Sequence, residues 1–96
     1  MTNSILITEE NIIPLDAGEV KHILKTTSNG FAGFGEAYLS KIKSGHVKGW
    51  KCHKEMTSNL IVPEGRVLFV ICNFKKNNDH NFTKYDLSSE NNKRLT

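Results

Sequence analysis

A chain of 96 residues, 38% of them hydrophobic, has room for one small domain, and folding hides only about 60–65% of the surface that a chain of this size exposes when unfolded. Thirteen basic against ten acidic residues leave a net charge of +3, too mild to imply nucleic acid on charge alone. No run of about 18 apolar residues is present, which excludes a membrane-spanning helix, and two cysteines, Cys52 and Cys72, are too few for a disulfide framework.

The first ten residues are polar and carry Glu9 and Glu10, with no basic stretch ahead of an apolar one. An ordinary secretory leader is therefore not expected, and the chain is expected in the cytoplasm. In that compartment both thiols are expected to be free and to serve as small packing groups. Residues 5–7 form a short apolar run, expected as the first strand. Residues 9–18 contain Pro14 and Gly18 and read as a loop, while residues 19–25 fit either a short helix or a strand. Residues 26–35 hold three glycines together with Phe31 and Phe34, the composition of a loop that lays two rings on a core.

From Gly35 the pattern changes. Ala37 and Leu39 alternate with Glu36, Tyr38 and Ser40, a period of two that predicts a strand. Ser44-Gly45 is a turn, and residues 47–54 are a second extended stretch. Residues 59–62 are a third, stopped by the turn signal Pro63-Glu64-Gly65. Residues 66–74 carry the strongest strand signal: Val67 to Cys72 are β-branched, aromatic or aliphatic without a polar interruption. That segment is expected to be buried on both faces, as in a closed or double-layered sheet. Residues 75–81 are a polar tip, and residues 82–87 return as a strand. Residues 88–93 read as a loop with one helical turn capped by Ser88, and Arg94-Leu95-Thr96 begin a further apolar segment. Short strands separated by closely spaced turn signals predict an all-β sandwich or barrel.

The chemistry concentrates in one stretch. Lys41, Lys43, Lys48, Lys51 and Lys54 crowd together and alternate with apolar residues, with His46 and His53 among them. Such a basic patch suits a small molecule bearing phosphate, although a solvated lysine face has the same composition. Within it, Gly45 is followed after five residues by Lys51-Cys52-His53, then after four residues by Ser58, then after six by Gly65. Residues 51 and 53 of a strand project from the same sheet face, and the two glycines permit tight turns on either side.

This spacing resembles the first motif of the cupins: Gly, five residues, His-X-His, three or four residues, Glu, six residues, Gly. Both glycines and one histidine are retained, with Lys51 in the first histidine position and Ser58 in that of the carboxylate. A lysine repels a cation and a serine is no anionic ligand, and structural or catalytic metal sites need three or four protein ligands. No metal and no other cofactor are therefore expected. The run Lys48-Gly49-Trp50-Lys51-Cys52-His53-Lys54 is similar to that of the metal-free deoxysugar group of cupins, the dTDP-4-dehydrorhamnose 3,5-epimerases and the sugar 3,4-ketoisomerases. The resemblance covers residues 18–96 and is most specific over residues 48–65. It implies a cupin-type double-stranded β-helix, or jelly roll, of which residues 1–96 would be the N-terminal portion. Members of the group continue into a Pro-Gly-X-Trp strand and a second half that supplies a tyrosine acid. A chain without that acid is expected to be slower by about 10²–10⁴ in rate.

The implied activity is a metal-independent epimerisation or isomerisation of a dTDP-4-keto-6-deoxyhexose, in the supply of sugars for surface polysaccharide. The reaction removes a proton beside a ketone and stabilises an enolate. His53 is the expected base or proton shuttle. Lys51 occupies the position of the family's base, and it would polarise the carbonyl or hold the diphosphate. Lys48 would contact phosphate as a point charge, and Tyr38, Thr57, Asn59 and Arg66 are the further candidates for substrate binding. Each has a plainer use in packing or as a solvated side chain. The alternative to an enzyme is a non-catalytic, truncated cupin that binds a sugar nucleotide or forms dimers. The expected partners are thus a nucleotide-diphosphate sugar and a second copy of the chain, with neither nucleic acid nor membrane. Open sheet edges would need such a copy as cover.

Overall fold

The computed structural model describes residues 5–52, 55–74 and 80–96, with backbone alone for residues 73, 74 and 80. The described secondary structure is all β, in three antiparallel two-stranded sheets. Strand β1 (Ile7–Glu9) pairs with β6 (Lys93–Leu95), β2 (Asn11–Leu15) with β3 (Gly18–His22), and β4 (Arg66–Phe74) with β5 (His80–Ser88).

The short strand β6 organises the molecule. On one side Ile7 opposes Leu95, and Leu6 and Thr96 exchange two backbone bonds of 2.9 Å. On the other, Leu60 and Leu95 exchange bonds of 2.8 and 3.0 Å. The end of the chain is therefore hydrogen-bonded between two extended segments, through Thr96 on one side and Leu95 on the other, and the Leu95 side chain, 2% exposed, joins Leu87 and Val62 in the core. Ile5, Leu60, Val67, Phe69, Ile71 and Tyr85 pack around those three. The centre is small, as expected for a chain with so few apolar residues.

Glycine is needed at two places. Gly65, at φ 83°, turns the chain after Pro63-Glu64 into β4, where its carbonyl accepts from the Ser89 amide at 2.9 Å. Gly30, at φ 82°, lies so close to Thr96 that a Cβ there would sit 2.6 Å from Oγ1. The last residues thus pass directly over the 26–35 loop.

Several expectations are met. Strands form at the strong β4 signal and its return β5, and a bend at Pro63-Glu64-Gly65 separates β4 from the preceding segment. Residues 18–22 resolve to a strand. Ser88 does cap: its Oγ accepts from the amides of Glu90 and Asn91 at 3.2 and 3.0 Å, though the segment forms a turn rather than helix.

Others are corrected. The stretch expected as a loop around Pro14 is strand β2, which tolerates proline because its sheet has only two strands and the imide can face outward. Residues 35–41 and the described part of 47–54 form no strand, and residues 59–62 contribute one bridge, at Leu60. Strand β4 is not buried on both faces. Val67, Phe69 and Ile71 face the core, while Leu68 is 56% and Val70 37% exposed. Phe31 is partly buried as expected, but Phe34 stands in solvent.

Candidate functional site

The lysine-rich segment is held by its own local contacts. Residues 43–46 close a turn through the His46 amide, which donates to the Lys43 carbonyl at 3.0 Å. Beside it, the Lys48 ammonium donates to Ser40 Oγ at 2.6 Å and to the Lys41 carbonyl at 3.2 Å. These contacts shape an open cavity of about 290 Å³ lined by Lys41, Ile42, Lys43, His46, Val47 and Lys48. Its wall carries three ammonium groups and an imidazole, and no carboxylate.

Among the described residues, Lys48 is the one candidate that lines it. Lys51 is exposed, with its Nζ 6.0 Å from the centre of the Tyr38 ring, a separation at which a cation is attracted to the π face. Trp50, 71% exposed, tilts against Phe82 of β5 with ring centres 6.1 Å apart. The motif segment therefore touches the outer face of the β4–β5 hairpin through that ring. Thr57 is exposed. His53, the expected base, lies outside the described residues, so its placement beside Lys51 is not described. Lys51 itself belongs to no strand. Among the described residues no three His, Cys, Asp or Glu side chains gather as metal ligands.

Two candidates for substrate binding are engaged elsewhere. The Asn59 amide donates to the Gly30 carbonyl at 3.1 Å and accepts from Thr96 Oγ1 at 2.6 Å, so both its ends tie loop to terminus. Arg66 grips the carboxylate of Asp86, directly across the hairpin from Leu68, through Nε at 2.8 and 3.0 Å and also through Nη2. Those hydrogen bonds hold the Asp86 carboxyl below its usual range and raise the guanidinium in turn. A second open cavity, also about 290 Å³, lies against this pair, between Gly65, Arg66, Ser88, Ser89 and Glu90. Carboxylate and cation there neutralise each other.

The most constrained polar group escapes sequence reasoning altogether. Arg94 is 1% exposed. Its Nη1 donates to Glu10 Oε1 at 3.0 Å and to the Ile23 carbonyl, and its Nη2 donates to the Asn29 carbonyl at 2.6 Å. Burial pushes the Glu10 carboxyl above its ordinary range, against the pull of the Arg94 charge. One guanidinium thereby joins β6, the residue after β1, the residue after β3 and the 26–35 loop. Nothing in the local sequence marks Arg94 as buried, because its partners are 65 to 84 residues away. Its role is structural: the side chain faces no cavity described above.

No family model matches the chain, and neither a curated protein nor a solved structure matches it.

Proposed function

We propose that the chain is a cupin-type module that binds a sugar nucleotide through its diphosphate. The observation that carries this reading is the cavity at residues 41–48, whose wall holds the ammonium groups of Lys41, Lys43 and Lys48 and no carboxylate. A diphosphate presents several anionic oxygens to such a wall, and each charge-assisted bond is short and strong relative to a neutral one. Lys48 is oriented in advance by Ser40 and the Lys41 carbonyl. Exposed Tyr38 and Trp50 offer aromatic faces for a base or sugar in the same segment. The openness of the cavity favours binding over chemistry that requires a dry, closed site.

The test is a titration with dTDP followed by amide NMR. Shifts are expected at residues 41–48, weakening as salt is raised, with Lys48→Ala reducing affinity on the order of tenfold. Thymidine, which lacks phosphate, should leave those amides unmoved. Equal binding of thymidine and dTDP, or shifts confined to other residues, would end this reading.

A second reading rests on the spacing of Gly45, Lys51, His53, Ser58 and Gly65: a metal-independent epimerase or isomerase for a dTDP-4-keto-6-deoxyhexose, with His53 moving the proton and Lys51 polarising the ketone. Deuterium uptake beside the ketone in D₂O, abolished by His53→Ala, separates it from binding alone.

A further inference from the structure

The two edges of the β4–β5 hairpin are treated very differently. Ser89 donates its amide to Gly65 at 2.9 Å, one step beyond the Arg66–Ser88 pair. In an antiparallel ladder bonded and non-bonded pairs alternate. The odd-numbered residues of β4 therefore bond to β5, and Arg66, Leu68, Val70, Cys72 and Phe74 turn their backbone N–H and C=O outward. On β5 the outward groups are those of even-numbered residues, and two are already taken. The Asp86 carbonyl accepts from Asn91 Nδ2 at 2.7 Å, and the Ser88 amide donates to Asn91 Oδ1 at 3.1 Å. Lys84 stands at the middle of that strand. A capped end and a central charge are the usual protections of an edge. Strand β4 has neither: among the described residues no backbone bond reaches its outer side, and residues 67–72 carry no charge. Leu68 and Val70 stand exposed beside that edge.

We propose that a second copy of this chain pairs along the outer edge of β4, antiparallel and two-fold about Val70, joining two hairpins into one four-stranded sheet. The parity of the free groups puts the two-fold axis on a residue rather than between two, and an axis at Val70 is the one that engages all nine residues of the strand. Val70 then faces Val70 of the second copy, Leu68 faces Cys72 and Phe69 faces Ile71, so each of these central pairs is apolar. Arg66 meets the far end of the other strand rather than another arginine. The same operation on β5 would set Lys84 against Lys84, and like charges directly opposite are destabilising. The β4 edge is therefore self-complementary, the requirement of a two-fold interface, and the β5 edge is not. This inference stands apart from the ligand reading, since no residue of the 41–48 cavity takes part.

Sedimentation velocity on the full chain tests it, together with single substitutions on the two strands. The wild type should sediment as two chains, and Val70→Lys, which places like charges face to face, should sediment as one while keeping its β circular-dichroism signal. In a Cys52→Ser, Cys72→Ser background, Val70→Cys should give a covalent dimer on mild oxidation. Opposed Cα atoms of such a pair lie about 5.5 Å apart, within disulfide reach, and Lys84→Cys in the same background should form no covalent dimer. A wild type that is monomeric at every concentration, or a monomer that instead takes unrelated extended peptides at this edge, would overturn the proposal. So would species larger than two, a dimer that survives Val70→Lys, or one that is cross-linked through Lys84→Cys.

Discussion

Residues 85–96 and residues 36–51 both mix apolar with charged side chains, yet they have opposite fates. In the first, Leu87, Arg94 and Leu95 are 1%, 1% and 2% exposed. In the second, Leu39, Val47 and Trp50 are 91%, 96% and 71% exposed. The difference lies in what the backbone meets. Strand β6 has β1 on one side and Leu60 on the other, so its amides and carbonyls are satisfied and its side chains are pressed into the core. The backbone of residues 36–51 pairs with no strand, and its described bonding is a single turn at residues 43–46. An alternating pattern makes a segment able to be a strand; a neighbour with free backbone groups makes it one.

Substitution should widen this contrast. Arg94→Ala removes one partner of a buried ion pair and strands Glu10 and two carbonyls, at a cost of about 3–5 kcal/mol. Against the roughly 5–15 kcal/mol of an ordinary domain, that suffices to unfold much of a chain this small. Leu39→Ala deletes a wholly apolar side chain, yet should change stability by no more than about 0.5 kcal/mol, because that side chain is already in water. Urea denaturation of the two variants measures both effects. Comparable losses would mean that residues 36–51 contribute to the same cooperative core.

A smaller effect comes from pH. The folded Glu10 carboxyl titrates above its ordinary value near 4.5 because burial opposes its charge. The folded state therefore holds its proton more tightly than the unfolded chain does. Its contribution is full below that ordinary value and is lost as pH rises through the raised folded one. Asp86 runs the other way: its carboxyl is held low by Arg66, so its contribution is present above the usual carboxylate range and is lost as acid protonates it. Because the Arg66–Asp86 pair is exposed, salt should erase most of its share. Stability measured against pH in high salt should thus fall across the window just above pH 4.5, and Glu10→Gln should flatten that slope. An unchanged slope in the variant would assign the pH dependence to other groups.

Sequence legibility follows the same division. The β4 and β5 signals could be read because Val67 to Cys72 satisfy strand preference without help, and Pro63-Glu64-Gly65 bends the chain whatever surrounds it. Ser88 was legible as a cap for a similar reason, since its bonds reach only two and three residues along. Strand β2 was hidden by Pro14, which reads as a breaker unless the strand is known to lie in a two-stranded sheet. Residues 35–41 carried a correct periodicity with no partner to use it. The exposure of Leu68 and Val70 depends on whether a layer covers β4, and strand composition is silent on that. The Arg94–Glu10 pair rests on contacts from opposite ends of the chain, beyond the reach of any local pattern. Of the candidate site, the lysine clustering that lines the 41–48 cavity was visible as composition. That Asn59 and Arg66 are occupied within the fold was not, because both are held by residues distant in sequence.

Amide hydrogen exchange, resolved by residue, is the most direct measure of where stability resides. The amides of Leu6, Leu60, Leu95 and Thr96, all bonded across the β6 junction, should exchange only with global unfolding, while those of residues 36–51 should exchange at nearly the rate of an open chain. Protection of residues 36–51 equal to that of the β6 junction would contradict this, and would place the motif segment inside the folded sheet system rather than beside it.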